Sequence, residues 1–200
     1  GQRNPGSNRQ MMSTTEIAGF ALALVMVVCS IKELHWSWPL AIASSILYFF
    51  VFRDSRLYGE AGLQVVFATL ALWGWWQWLR KGNEVQPALV IQRLSARGWW
   101  RVAIAIGVLW PALALSLQHF TDSDVAWWDA LPTALSLVGQ ALLGRKYIEN
   151  WLVWGVVNVI SVALFAHKEL WLTCLLYSLF AAMSAWGWRA WQRKLQLQLA

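Results

Sequence analysis

The chain alternates between long apolar runs and short polar connections. The runs are continuously apolar and do not alternate in period two, so they predict α-helices and not barrel strands. A helix needs roughly 17–25 residues to cross a hydrocarbon layer about 30 Å thick, and the runs approach or reach that length. Seven membrane-spanning helices are therefore predicted, over about residues 17–31, 39–52, 57–79, 100–117, 128–143, 151–166 and 170–191.

Two of these spans end in the same pattern, W-G-W-x-x-W, at Trp73–Trp78 and at Trp186–Trp191. The same offset pairs Trp38 with Trp151, so the first three spans repeat as the last three. Because three is an odd number, two adjacent copies would be inverted, and one extra helix between them restores a parallel orientation. The predicted fold is an all-α membrane protein with a 3+1+3 arrangement of two parallel three-helix repeats, as in SWEET transporters. A seven-helix bundle without a passage is the alternative.

The repeat divides the chain into five predicted segments. They are a disordered tail or remnant of an added segment at 1–15, the first repeat at 16–79, a linker with the fourth helix at 80–127, the second repeat at 128–191 and a cytoplasmic tail at 192–200.

Composition excludes a soluble globular domain, because 58% of residues are hydrophobic and only 13% are charged, against roughly 25% charged residues in soluble domains. The net charge of +6 would suit nucleic acid in a soluble protein, but here the basic residues lie between apolar runs and no nucleic-acid partner is expected. Eleven of the sixteen lysines and arginines fall on the side of the membrane opposite the N-terminus. The positive-inside rule therefore predicts an outside N-terminus and a cytoplasmic C-terminus.

Neutral polar residues and tryptophans carry the candidate chemistry. No acidic or basic residue lies near the centre of any predicted span, whereas amides recur on helical faces. Indole faces attract cations, and amides both donate and accept hydrogen bonds, so a flat, neutral or delocalised-cation ligand is favoured. The lack of a central titratable group predicts uncoupled transport, with sodium coupling through backbone carbonyls left open. No nucleophile–base pair or Cys/His cluster is found, so neither an enzyme, a metal nor a cofactor is expected.

One motif is specific. The sequence R-K-Y-I-E-N-W-L-V-W at Arg145–Trp154, followed by N-V-I-S at Asn158–Ser161, resembles the R-K-Y-x-E-N-W-x-x-W…N-V-I-S motif of the PnuC family. Supporting positions are Leu57-Tyr58, Leu63-Gln64, Gly74-Trp75-x-x-Trp78 and Trp128-Asp129, and the resemblance covers about residues 16–191.

The resemblance implies a bacterial inner-membrane transporter of nicotinamide riboside, an NAD precursor. It also implies a SWEET-like fold, a homo-oligomer, expected to be a trimer, and facilitated diffusion. A cytoplasmic nicotinamide riboside kinase would trap the substrate by phosphorylation. A transporter of another vitamin, thiamine or riboflavin, and a SWEET-like sugar carrier are the alternatives.

Ten substrate-binding residues are predicted together with this resemblance. Those expected to hydrogen-bond the carboxamide or ribose are Asn158, Asn150 and Gln64. Those expected to stack on the ring or gate the passage are Trp151, Trp154, Trp186 and Trp188. Second choices are Tyr177 and Gln140. Glu149 is expected either to offset the pyridinium charge or to pair with Arg145 or Lys146 at the span end.

Overall fold

The structure is a computed structural model that describes residues 14–54, 58–80, 88–120, 126–167, 169 and 171–199. These residues form seven α-helices and no β-structure beyond one isolated bridge between Gln92 and Tyr147. The helices are α1 (Thr14–Ile31), α2 (Ser37–Asp54), α3 (Tyr58–Leu79), α4 (Ala96–Phe120), α5 (Ala126–Gly144), α6 (Asn150–His167) and α7 (Trp171–Leu199).

Every predicted span is helical over its described residues, and the differences lie at the ends. The last helix continues to Leu199, eight residues beyond the predicted limit of the span, and α1 begins at Thr14, inside the segment predicted as a tail. An apolar run marks where hydrocarbon ends, but a helix can continue into water when its residues favour helix, as the Gln- and Leu-rich end of α7 does. Residues 1–13 of that predicted tail lie outside the described residues.

By hydropathy and length alone, two of the described helices qualify as membrane spans, namely Ala96–His119 within α4 and the whole of α6. The others, apart from α1, contain tryptophans, which hydropathy scales treat as nearly polar although they suit the membrane interface.

Six of the helices form a closed ring in which each packs against two neighbours, in the order α1, α2, α3, α5, α6, α7 and back to α1. α4 lies outside this ring and packs on α5. One apolar cluster joins α4, α5 and α6 through Val102, Leu135, Val138, Leu142, Val153 and Val157. α4 therefore does not interrupt the ring.

Helix boundaries in the two halves coincide after a shift of 113 residues. α2 and α6 match at both ends, α3 and α7 match at their first residue, and α1 and α5 match at their last. The turn after α1 contains Glu33 with φ of 57°, and the turn after α5 contains Lys146 with φ of 55°. Both are non-glycine residues in the left-handed region, which is sparsely populated for L-residues.

Four tryptophans, which we call the tryptophan layer, fill one end of the ring: Trp38, Trp78, Trp151 and Trp191. Ring centroids are 5.5 Å apart for Trp38 and Trp78 and for Trp151 and Trp191, and 6.4 Å apart for Trp78 and Trp191. Each half contributes the same two positions, because Trp38 and Trp151 are equivalent in the repeat, as are Trp78 and Trp191. The layer therefore joins the two halves through aromatic contacts.

Reciprocal hydrogen bonds tie each half to the other at the same end. Trp78 Nε1 donates to the carbonyl of Leu143 at the end of α5 (3.2 Å), and Trp191 Nε1 donates to the carbonyl of Ile31 at the end of α1 (3.1 Å). The last carbonyls of a helix lack partners within the helix. Trp191 therefore supplies a donor to the Ile31 carbonyl, whereas the Leu143 carbonyl also accepts from the backbone N–H of Lys146 at 3.0 Å.

An ion bridge covers the tryptophan layer. Glu33 accepts from Lys146 Nζ at 2.7 Å and from Lys194 Nζ at 2.8 Å. Burial by itself would raise the pKa of the Glu33 carboxyl, but the hydrogen bonds and charges of the two lysines outweigh it and hold that pKa below its ordinary value. Glu33 is therefore ionised at neutral pH and links the first half to α7 and the α5–α6 turn.

Candidate functional site

Polar residues on α5 face the interior of the ring. Gly139 lies against Trp154 of α6, and Gly144 lies against Trp73 of α3. Because successive residues of an α-helix are about 100° apart, Gln140 projects between these two neighbours, toward the axis of the ring. Two further half-buried residues of the same stripe are Ser136 and Thr133.

α6 has an inner and an outer face. On the inner face, Trp154 covers Gly139 so closely that a β-carbon there would lie 3.2 Å from its ring, and Asn158 is buried one turn further along. On the outer face, three aliphatic side chains are 45–62% exposed, namely Leu152, Val156 and Val159. The structure thus brings Trp154, Asn158 and Gln140 to the interior side of adjacent helices.

The Asn158 side chain is held by α7. Its Nδ2 donates to Ser184 Oγ at 3.3 Å, and Ser184 Oγ donates to the carbonyl of Phe180 at 2.9 Å. Both Asn158 and Ser184 are buried. A buried amide is costly unless it is hydrogen-bonded, so this chain of bonds stabilises a polar group at mid-depth of the bundle.

Aromatic residues lie on either side of Asn158 along the bundle. Trp151 of the tryptophan layer precedes it by seven residues, and Phe165, which stacks on Tyr177 at 5.2 Å, follows it by seven. Seven residues of helix rise by about 10 Å. The repeat places Gln64 at the position equivalent to Tyr177, where it is half-buried in α3. Tyr177 thus lies at the level of Phe165 and not at that of Asn158, and the repeat predicts the same level for Gln64.

Two predicted site residues lie where the α5–α6 turn meets α6, with Glu149 in the turn and Asn150 as the first residue of the helix. Asn150 is fully buried and donates from Nδ2 to the carbonyl of Tyr147 at 2.6 Å. Glu149 is buried and accepts from the backbone N–H of Leu94 at 3.0 Å, while Lys146 pairs with Glu33. The alternative pairing of Glu149 with Lys146 is therefore wrong, because the ion partner of Lys146 comes from the other half of the chain, which local spacing does not reveal.

Trp186 and Trp188 lie on different faces of α7, and only Trp188 shares a groove with Ser184, the partner of Asn158. Trp186 is 49% exposed, and Trp188 lines a groove of about 540 Å³ between the outer faces of α6 and α7. The walls of that groove also include Trp151, Gly155, Ala181, Ser184, Ala185 and Arg189. The structure does not bring these two tryptophans together with Trp154, and their binding role stays a prediction.

Ser184 is not among the ten predicted site residues. The sequence places it on one stripe with Tyr177 and Trp188, but a serine in an apolar helix is more often a packing residue than a ligand contact. Its importance depends on Asn158 of another helix, and this contact between helices has no signature in local spacing.

The chemistry of the interior is neutral. α6 has no acidic or basic residue before His167, and the one charged residue of α5 is Asp129 in its first turn. In α7 the charged residues begin at Arg189, at the level of the tryptophan layer. The middle of these three helices therefore offers amides, hydroxyls and indole rings. Such groups suit an uncharged polar ligand or a delocalised cation better than a phosphate.

Comparison with known proteins agrees with this architecture. The chain is 27% identical to "Nicotinamide riboside transporter PnuC" of Escherichia coli over 93% of this chain and 88% of the relative. It is 28% identical to "Riboflavin/roseoflavin transporter RibM" of Streptomyces davaonensis over 88% of this chain and 84% of that one. The solved structure titled "Crystal structure of the Vitamin B3 transporter PnuC" matches with a TM-score of 0.65 and 24% identity, covering 87% of this chain and 78% of the other.

The family model described as nicotinamide mononucleotide transporter matches residues 13–193. That range contains all seven helices apart from the last turn and a half of α7. The chain therefore belongs to the nicotinamide mononucleotide transporter family of multi-pass membrane proteins.

Proposed function

We propose that this protein takes up nicotinamide riboside through the interior of its six-helix ring. The observation that carries the proposal is the placement of Asn158 beside Trp154 in an uncharged part of the bundle. Nicotinamide riboside presents a cationic pyridinium, a carboxamide and ribose hydroxyls. A Trp face attracts the pyridinium, more strongly when both are shielded from water, and the amides of Asn158 and Gln140 are suitable partners for the polar groups.

The riboside is favoured over the mononucleotide that the family description mentions. A phosphate is bound in proteins mainly by arginines, lysines or helix N-termini. The described parts of α5 and α6 contain no lysine or arginine, and the first basic residue of α7 is Arg189. The relatives named after nicotinamide riboside support the same choice.

We propose facilitated diffusion as the mode of transport. Proton coupling needs a group that titrates within the passage, and His119 and His167 lie at helix ends while His35 lies in the α1–α2 connection. Phosphorylation by a cytoplasmic nicotinamide riboside kinase would keep the product inside, since the phosphate would prevent its return.

Two parallel three-helix halves joined by α4 form the proposed architecture. The matched helix boundaries, the ring and the external position of α4 support it. We place the tryptophan layer at the cytoplasmic end of an inner-membrane protein whose N-terminus is outside, because eleven of the sixteen basic residues lie on that side. A homotrimer is the proposed assembly.

Riboflavin is the second candidate substrate, because the riboflavin transporter RibM is as similar to this chain as the nicotinamide riboside transporters are. Its flat ring system also suits indole stacking. Thiamine and sugars are the remaining alternatives.

Uptake of labelled nicotinamide riboside into proteoliposomes without an ion gradient tests the proposal. Equilibration to the outside concentration, followed by accumulation when the kinase and ATP are enclosed, is expected. Trp154→Ala should reduce uptake more strongly than Trp188→Ala, its counterpart on the outer groove. Uptake of riboflavin without uptake of nicotinamide riboside would show that riboflavin is the substrate. Uptake that requires a sodium or proton gradient would contradict facilitated diffusion.

A further inference from the structure

The orientation of the Asn158 amide is determined by two hydrogen bonds. The Phe180 carbonyl can only accept, so the Ser184 hydroxyl donates its proton to it at 2.9 Å. The Ser184 oxygen must then accept in its contact with Asn158, and Nδ2 is the only atom of that amide that donates. An amide turned the other way would place two acceptors against each other. Asn158 therefore directs Oδ1 away from Ser184.

The Asn158 oxygen is left available for a ligand. Within the described part of the chain, no group donates a hydrogen bond to Oδ1, although the residue is 7% exposed. This oxygen is not fully buried, so a donor from outside the chain, either water or a ligand, can reach it.

The pair is not a requirement of the repeat. In the first half, Ser45 occupies the position of Asn158 and Ala71 occupies the position of Ser184, and both are buried in an equivalent α2–α3 contact. Two helices of this geometry thus pack without an amide–hydroxyl pair. Its presence in the second half alone points to a role in binding and not in folding.

We propose that Ser184 is a positioning residue that makes Asn158 an obligate hydrogen-bond acceptor. The site then selects a ligand whose pyridinium carries a donor, such as a primary carboxamide, and rejects the same ligand with a carboxylate in that place. A carboxylate would bring oxygen against oxygen. The inference rests on the proposed function and adds the group that decides between a carboxamide and its acid.

Binding of nicotinamide riboside and of nicotinic acid riboside to the purified full chain tests this selectivity. Tryptophan fluorescence or calorimetry gives both affinities. The parent protein should prefer the carboxamide roughly 10- to 100-fold, the range expected when a buried acceptor loses its donor.

Ser184→Ala is expected to weaken carboxamide binding about five-fold, since one hydrogen bond of the network is lost. The acid should bind as well as before or better, because the freed amide can turn its Nδ2 toward the ligand. The preference therefore shrinks toward unity. Ser184→Thr keeps a hydroxyl that can donate to the i−4 carbonyl, and it should restore the parent preference.

Ser178→Ala is the matched control. Ser178 lies on the same helix and donates to the carbonyl of Cys174 at 2.8 Å, with the same local geometry but without contact to Asn158. Its removal should leave the preference unchanged. If Ser184→Ala does not fold, Ser184→Cys retains the volume with a poor acceptor and should give an intermediate preference.

An equal loss of affinity for both ribosides in Ser184→Ala would show a packing role and overturn the inference while the proposed function stands. A preference that persists in the folded alanine variant would do the same. If the parent protein binds neither riboside, the proposed function fails and this inference fails with it.

Discussion

Trp151 of α6 lies with its indole against the backbone of Gly187 in α7, where an added β-carbon would stand 2.5 Å from ring atom Cδ2. Trp38 covers Gly74 in the same way in the first half, and both pairs are related by the repeat. Glycine is needed at these two positions because the aromatic ring takes the space of a side chain. The shared W-G-W pattern therefore has a packing explanation at its central residue.

Gly187→Ala should destabilise the protein by about 1–3 kcal/mol, since it forces the ring of Trp151 out of a tightly packed layer. The measurement is the thermal midpoint of the detergent-solubilised protein. Gly107→Ala on α4 is the control, because a β-carbon there meets nothing within 4 Å. Equal midpoints for the two variants would contradict the close packing of Trp151 on Gly187.

The two indole hydrogen bonds between the halves should differ in importance. Trp191→Phe is expected to lower the thermal midpoint more than Trp78→Phe, because Trp191 is fully buried and its loss leaves the Ile31 carbonyl without its partner. A buried unsatisfied acceptor costs about 1–3 kcal/mol. Trp76→Phe, at an exposed position of α3, serves as the control. A lower thermal midpoint for Trp78→Phe than for Trp191→Phe would contradict the greater importance of the Trp191 hydrogen bond.

The Glu33 bridge makes stability sensitive to acid. The pKa of Glu33 is held below its ordinary value. Its contribution to the free energy of unfolding is therefore complete when the pH is above the ordinary pKa, and it is lost as the pH falls through the lowered pKa. Thermal midpoints measured from about pH 7 down to about pH 3 should fall less steeply for Glu33→Gln than for the parent protein. At neutral pH the variant should be the less stable of the two. Asp54→Asn, at an exposed carboxylate, is expected to retain the parent slope.

The two asparagines of the PnuC-like motif are expected to differ in function. Asn158→Ala should weaken nicotinamide riboside binding by roughly five-fold or more, since it removes an acceptor that faces the interior. Asn150→Ala should lower the thermal midpoint instead, because Asn150 donates to the Tyr147 carbonyl within the α5–α6 turn. The affinity of the folded fraction of that variant should equal that of the parent. Equal losses of affinity would place Asn150 in the binding site as well.

Much of the fold could be predicted because hydrocarbon thickness sets the length of an apolar run, and all seven predicted spans are helices. The face that each helix turns toward the ring interior could not be predicted, because a helix that is apolar on all sides has no polar stripe to orient it. Trp188 illustrates this: the sequence places it beside the equally apolar Ala185, and only the packing of α7 on α6 assigns it to the outer groove.

Contacts between polar residues that lie far apart in sequence could not be predicted either. Glu149 and Lys146 have the spacing of a local pair, yet Lys146 binds Glu33 and Glu149 accepts from the Leu94 backbone. Local spacing describes neighbours within one helix or turn, whereas these contacts depend on how the ring closes. Ser184 belongs to the same class, because its role follows from Asn158 on another helix.

Glu33 and Lys146 occupy the same position in the two halves, with opposite charges, and they bind each other at 2.7 Å. Two copies of the first half would bring glutamate against glutamate at this point, and two copies of the second would bring lysine against lysine. Like charges at such a distance repel. Each half therefore disfavours its own kind and favours the other, so the halves have become complementary and can no longer be exchanged for one another.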